Sequence, residues 1–148
     1  MSLDLKDMFL MTPMDDPEYM RCKYEYFPAD IRRRYHLDTL VHHGYIYIKI
    51  QKGMFGLKQA AILAYYHVTD LLKNAGYYQL PSTIGIWRHT TRNIMFNLCV
   101  DDFGVKYFDK ADVTHLINTV EQRYKTQADW TGSEFLGFTI DWQYSKGY

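Results

Sequence analysis

The spacing of apolar residues predicts two helices and a long strand. Residues 45–50 alternate aromatic and β-branched side chains as a strand does. From Lys58 onward, apolar residues recur at the spacing of one helical face and stop before Gly76, a residue suited to the left-handed end of a helix. A second helix is predicted after Asp109, because Asp caps helix N-termini and apolar residues then recur with helical spacing. The two predicted stripes are Ala61, Ala64, Val68, Leu71 or Leu72 and Ala75, and then Val113, Leu116, Val120 and Tyr124.

Short apolar runs predict the remaining strands. One ends at Asp4, and the others cover residues 84–87, 93–99, 103–108 and 134–142. Without the segment at 10–57, the order is strand, helix, strand, strand, helix, strand. The predicted fold class is therefore α+β, a split β-α-β-β-α-β arrangement with both helices on one face of an antiparallel sheet.

Residues 10–57 are predicted to form a small, largely irregular insert in a single domain that covers residues 1–148. Pro13 and Pro17 interrupt this segment, and Pro28 is placed to open a short helix that runs through Ile31.

Composition narrows the class of protein. With 47% apolar and 23% charged residues, the chain has the composition of a globular domain. No apolar run approaches the roughly 18 residues of a membrane span, so no membrane partner is expected. Two cysteines and the lack of a secretory leader favour a location inside the cell, cytoplasmic or nuclear, and not secretion.

The charges cancel overall but are unevenly distributed. Residues 1–30 carry a net −4 and residues 31–75 a net +5, while 76–110 carry +1 and 111–148 carry −2. A zero net charge argues against strong, independent nucleic-acid binding. An acidic pocket beside a basic stretch is what a site for both metal and phosphate would show, although charges scattered over solvated faces give the same numbers.

Three carboxylates form the strongest candidate site. Asp4 ends the first strand, and Asp101 and Asp102 lie between the two central strands, so the predicted topology brings them to one edge of the sheet. Neighbouring carboxylates repel unless a cation neutralises them, and hard divalent ions take oxygen ligands. A polar hairpin turn is the simpler interpretation of an Asp-Asp pair.

Four segments together resemble the reverse transcriptases of copia-type retrotransposons. Residues 4–10 are similar to the first catalytic motif of these polymerases, and residues 53–60 to their Tyr-Gly-Leu-Lys-Gln motif. Residues 99–102 (Cys-Val-Asp-Asp) resemble the Tyr-Val-Asp-Asp box, and residues 135–138 the primer-grip segment. The four occur in the family's order and span nearly the whole chain. The sequence departs from the family at Cys99, where a Tyr is usual, and after Gln59, where a Pro is usual.

The resemblance implies a polymerase palm, in which the primer's 3′-oxygen attacks the α-phosphate of a deoxynucleotide. It implies that two Mg²⁺ or Mn²⁺ ions are cofactors and that primer-template, dNTP and the rest of a retrotransposon polyprotein are partners. In the implied site, catalysis and metal binding are assigned to Asp4, Asp101 and Asp102, and the dNTP pocket to Phe9, Phe55 and Gly56. The template and primer are contacted by Lys58, Gln59, Phe135, Leu136 and Gly137.

The expected function is thus RNA-directed DNA polymerisation, in virus-like particles in the cytoplasm or in the nucleus. The upstream fingers, the thumb and RNase H are expected to be absent, so the chain alone is expected to be inactive and to self-associate through exposed apolar surface. The alternative is a non-enzymatic remnant that binds or scaffolds. A third interpretation, a nucleotide cyclase, has no support because the sequence contains no Gly-Gly-Asp-Glu type motif.

Other motifs carry weaker hypotheses. Asp102-Phe103-Gly104 spells a kinase tripeptide, but the other kinase motifs are missing. His36, His42 and His43 have no partner at zinc spacing. Residues 32–34 (Arg-Arg-Arg) could contact template phosphate or form a solvated helix face.

Overall fold

The structure is a computed structural model that describes residues 1–143. Its strands and helices, in chain order, are β1 (Ser2–Lys6), α1 (Met8–Met11), β2 (Pro13–Lys23), α2 (Ala29–Arg34), β3 (Tyr45–Lys52), α3 (Lys58–Asn74), β4 (Tyr77–Gln79), β5 (Ile86–His89), β6 (Ile94–Cys99), β7 (Asp102–Tyr107), α4 (Lys110–Glu121), β8 (Lys125–Asp129), β9 (Glu134–Phe135) and β10 (Phe138–Thr139). Short 3₁₀ turns occur at Tyr24–Tyr26 and Leu37–Leu40. No helix in this described part is long and apolar enough to cross a membrane.

Six strands form one antiparallel sheet in the order β4-β5-β6-β7-β1-β8. The succession strand, helix, strand, strand, helix, strand is carried by β1, α3, β6, β7, α4 and β8, with β4 and β5 added at one edge. The α+β prediction is confirmed. The predicted strand at 84–87 is shifted, because Gly85 has a left-handed φ of +91° and the strand begins only at Ile86.

The core lies on one face of this sheet. Burial alternates along β1, β6 and β7, so that Leu3, Leu5, Phe96 and Phe103 point to the side that α3 and α4 cover. The predicted stripe of α4 is fully buried, whereas in α3 Ala60 is buried in place of Ala61. Alternate residues of the same strands occupy the opposite side, which is only partly covered and which we call the open face.

The predicted irregular insert is wrong in part. The segment contains β2, a strand of eleven residues, which pairs with β3 in a separate two-stranded sheet with a register shift between Pro13 and Glu18. Most of β2 is exposed, so its sequence lacks the apolar alternation that would mark it as a strand. The short helix after Pro28 is confirmed as α2.

The predicted last strand at 134–142 is also wrong. Leu136 and Gly137 have φ values of +52° and +76°, which reverse the chain so that Phe135 pairs with Phe138 in the hairpin of β9 and β10. Positive φ at both central residues is the geometry of a tight hairpin turn. The strand that completes the sheet is instead β8, which is mainly polar and lies at the edge beside β1.

Two histidines connect helices to the sheet: His89 of β5 contacts the end of α3, and His115 of α4 contacts Tyr77 of β4. The Nε2 atom of His89 lies 2.9 Å from the carbonyl oxygen of Ala75, and its Nδ1 accepts the backbone N–H groups of Thr91 and Arg92. Nε2 of His89 therefore carries the proton and donates it to Ala75. His115 Nδ1 lies 2.9 Å from the Tyr77 hydroxyl, and burial, followed by the charge of Arg92, lowers the pKa of His115.

We expect folding stability to fall as the pH drops below the ordinary histidine pKa of 6.5. Over that range the unfolded chain takes up a proton that the folded His115 resists, so protons favour the unfolded state. Between pH 7.5 and 5.5, the free energy of unfolding measured in urea should fall less for His115→Gln than for wild type. The difference between the two proteins should be less than about 1 kcal/mol, because the His115 ring is partly solvated. His67, whose pKa burial also lowers, contributes to the pH dependence in the same direction. Identical slopes for both proteins would contradict this assignment.

Candidate functional site

Two of the three predicted carboxylates lie directly opposite each other. Asp4 of β1 pairs with Asp102 of β7, because burial of their neighbours Leu3, Leu5 and Phe103 in the core turns both carboxylates to the open face. Asp101 adjoins them, since its carbonyl oxygen accepts a 2.9 Å hydrogen bond from the backbone N–H of Leu5. The structure thus brings the predicted triad to one end of the open face.

A strained turn carries Asp101. Cys99 pairs with Asp102, which leaves Val100 and Asp101 as a two-residue hairpin turn. Val100 has a φ of +58°, a left-handed conformation that is costly for a β-branched residue. Such strain persists only where surrounding structure imposes it, and it is concentrated at functional sites. Asp101 lies on this turn, whereas Asp102 is the first residue of β7, which refines the prediction that both occupy the turn.

The carboxylates repel one another. Burial, then the charge of Asp101, raises the pKa of Asp4, with Lys6 acting in the opposite direction. Burial, followed by the charges of Asp101 and Asp4, also raises the pKa of Asp102. Within residues 1–143 the side-chain ion pairs are Lys23 with Glu25 and Arg92 with Asp112, so neither involves the triad. The described part of the chain supplies this site with negative charge and with no cation in an ion pair.

A cleft of about 230 Å³ places the predicted primer-grip residues beside these carboxylates. Asp4 and Asp102 line one side, and Phe135, Leu136 and Gly137 line the other. The Phe135 ring lies over Gly104 of β7 so closely that a Cβ at Gly104 would come within 3.1 Å of it. We call this space the carboxylate cleft.

Sequence reasoning missed four polar residues of the carboxylate cleft: Ser2, Gln127, Asp129 and Glu134. Gln127 and Asp129 belong to β8, opposite Asp4 and Ser2. Hydrogen bonds from the hydroxyl and backbone N–H groups of Thr131 and Ser133 hold the pKa of Asp129 well below its usual range. The spacing Asp-x-Thr-x-Ser was the available signal, since Asp side chains hydrogen-bond to the backbone two residues on.

The predicted dNTP-pocket residues form a separate group. Phe9 is buried in α1, and its ring lies 4.8 Å from that of Phe55, which is 79% exposed. Gly56 follows with a φ of +91°. None of the three is among the residues that line the carboxylate cleft.

The predicted template residues begin α3. Lys58 is exposed, whereas the side-chain oxygen of Gln59 is buried without a hydrogen-bond partner. Their proximity to a template stays a prediction.

The weaker motifs have structural explanations. Phe103 of the kinase-like tripeptide is a core residue, and Gly104 lies under Phe135. Arg32 donates hydrogen bonds to the carbonyl oxygens of Phe27 and Glu25 and lies over the Tyr24 ring, so its guanidinium is engaged within the chain.

The oxygen atoms of the three carboxylates are suitable ligands for a hard divalent metal ion, but their arrangement is not that of a complete metal site. Within residues 1–143, no group of three or more His, Cys, Asp or Glu side chains is arranged to hold a metal ion. Magnesium, however, needs only one or two carboxylates when water and substrate phosphates complete its shell. The unpaired negative charge of Asp4, Asp101 and Asp102 matches that requirement.

Comparisons with protein-family models, curated proteins and solved structures gave no match.

Replacing Asp101 with Asn should lower the pKa of both Asp4 and Asp102, because it removes the largest charge acting on each. Since their raised pKa values destabilise the fold as the pH rises above about 4, the variant should be as stable as wild type at pH 7 or more stable by up to about 1 kcal/mol. Carboxyl ¹³C NMR titration and urea unfolding measure the two effects. Unchanged pKa values at Asp4 and Asp102 would show that Asp101 does not act on them.

Proposed function

We propose that this chain is the palm of an RNA-directed DNA polymerase of the reverse-transcriptase type. The observation that carries the proposal is the direct opposition of Asp4 and Asp102 on neighbouring strands, with Asp101 on the adjoining strained turn. The resemblance to copia-type polymerases, which rests on sequence motifs alone, assigns catalytic roles to the same three residues.

The position of the β9–β10 hairpin also supports the proposal. The segment that resembles a primer grip lines the same cleft as Asp4 and Asp102, although 33 residues separate Asp102 from Phe135 in the chain. A primer end held against Phe135, Leu136 and Gly137 would lie beside the carboxylates. Phosphoryl transfer requires that placement, because the attacking oxygen must be held about 3–3.5 Å from the phosphorus.

Asp4, Asp101 and Asp102 would hold the two divalent ions of this reaction. Bound there, the ions would stabilise the attacking and leaving oxygens of the displacement. The protein's own contribution is to concentrate negative charge at one end of the open face, where residues 1–143 form no ion pair with these carboxylates. The same proposal places the protein in virus-like particles or in the nucleus. It also makes the remainder of a polyprotein its partner.

One observation favours the second candidate, a non-enzymatic remnant that binds or scaffolds. No lysine or arginine is among the described residues that line the carboxylate cleft, so the cleft offers a triphosphate no cationic side chain. Phe138 is 73% exposed and adjoins the cleft's hairpin, which gives such a remnant an apolar surface for self-association.

Magnesium should stabilise the folded protein. If the dissociation constant is about 1 mM, 10 mM Mg²⁺ adds about 1.4 kcal/mol by linkage, which corresponds to roughly 3–6 °C in Tm for a chain of this size. Thermal unfolding of Asp101→Asn should show little of this rise. The matched control Asp70→Asn, at an exposed position of α3, should keep it. Equal shifts in all three proteins would place the metal elsewhere and contradict the proposal.

Primer extension should be undetectable for residues 1–148 alone. Positioning of reactants accounts for roughly 7–11 kcal/mol of barrier lowering in well-oriented reactions. Among residues 1–143, no cationic side chain lines the carboxylate cleft to position a triphosphate. A labelled primer on an RNA template, with Mg²⁺ and dNTPs, tests this expectation. Extension that Asp101→Asn abolishes would show instead that the chain positions its substrates unaided.

A further inference from the structure

A second cavity lies at the other end of the open face and has the opposite charge. Its volume is about 210 Å³, and three of its lining residues are cationic: Arg88, Arg92 and Lys106. No carboxylate is among the described residues that line it. We call this space the basic cavity.

The sheet register explains how these cations come together. Lys106 of β7 pairs with Met95 of β6, Met95 pairs with Arg88 of β5, and Arg88 pairs with Tyr78 of β4. Paired residues of an antiparallel sheet point to the same side. Since the neighbours Trp87, Phe96 and Val105 are buried in the core, this row belongs to the open face.

The positive charge of the basic cavity is only partly neutralised. Arg92 forms a 3.0 Å ion pair with Asp112. Within the described part of the chain, Arg88 has no side-chain hydrogen bond or ion pair, and the ammonium of Lys106 contacts the Phe108 ring at 5.9 Å. Two of the three cations are therefore available to an anion.

Aromatic rings accompany these cations. Phe108 is 73% exposed and Tyr78 is 42% exposed, and both line the basic cavity. A small inorganic anion gains nothing from exposed rings, whereas unpaired bases stack on them while the phosphates meet the cations.

The carboxylate cleft limits where a polyanion can lie. Lys106 lies four positions after Asp102 in β7, which is about 13 Å along the strand. Four carboxylates, those of Asp4, Asp102, Asp129 and Glu134, line that far end. In the absence of divalent ions these carboxylates repel phosphate. A polyanion is therefore confined to the half of the open face formed by β4 to β7.

We propose that the basic cavity binds a short segment of single-stranded nucleic acid, with phosphates on Arg88 and Lys106 and a base stacked on Phe108. This site is separate from the carboxylate cleft and requires neither metal nor polymerase activity. An acidic peptide could pair with the same cations, but its carboxylates would not stack on the exposed rings in this position.

Fluorescence anisotropy of a labelled 12-nucleotide oligo-dT, in EDTA at low salt, tests the proposal. The double variant Arg88→Gln/Lys106→Gln should bind at least about tenfold more weakly, and its log–log salt slope should fall by about 1.4, or 0.7 for each lost phosphate contact. Phe108→Leu should weaken binding by about tenfold through lost stacking while the salt slope is unchanged. Circular dichroism confirms that each variant is folded.

Two controls make the result specific. Lys73→Gln removes an exposed cation of α3, on the covered side of the sheet, and Asp70→Asn removes an exposed carboxylate of the same helix; both variants should bind as wild type does. Absence of binding by wild type, equal weakening by Lys73→Gln, or displacement of oligo-dT by polyglutamate or inorganic phosphate at the same charge concentration would each overturn the proposal. Loss of the magnesium response with retained oligo-dT binding would count against the polymerase assignment alone.

Discussion

The register of β1 between β7 and β8 is the constraint on which the rest of the structure depends. Leu3 and Leu5 are completely or almost completely buried, and they set which residues of β1 face the helices. Because side chains alternate along a strand, a slip of one residue would bury Asp4 and expose both leucines. Burial of a leucine stabilises a fold by about 1.5–3 kcal/mol, so the penalty for such a slip is large. The apolar core thereby positions the carboxylates, although none of them contributes to it.

The sequence predicts those parts of the fold in which local and tertiary preferences agree. The stripe of α4, its Asp109 cap and the left-handed Gly76 could all be read in advance, because each has its own local physical cause. β2 and β8 could not, since both strands owe their structure to pairing with a neighbour and carry little apolar alternation. The carboxylate pair could be predicted from topology, whereas Gln127, Asp129 and Glu134 depend on β8 and the β9–β10 hairpin, the two elements that sequence reasoning misplaced.

The open face combines two opposite electrostatic environments within one sheet. The zero net charge of the chain conceals this separation, because the acidic and basic groups cancel only in the total. Strand register concentrates them at opposite ends: the turn between β6 and β7 brings the carboxylates together, while the row from β4 to β7 gathers the cations. Local field, and not overall charge, therefore decides which anions approach which half of the sheet.

The exposed two-stranded sheet of β2 and β3 bears on how the protein avoids edge-to-edge aggregation at high concentration. In its two-stranded sheet, β2 has one side paired to β3 and the other side unpaired. An unpaired strand of eleven residues is a template on which another chain could extend the sheet. Pro13 and Pro17 have no N–H to offer such a strand, and Asp15, Asp16 and Glu18 place like charges along the same edge. The prolines and acidic residues that hide β2 from pattern analysis thus protect the folded molecule from edge-to-edge polymerisation.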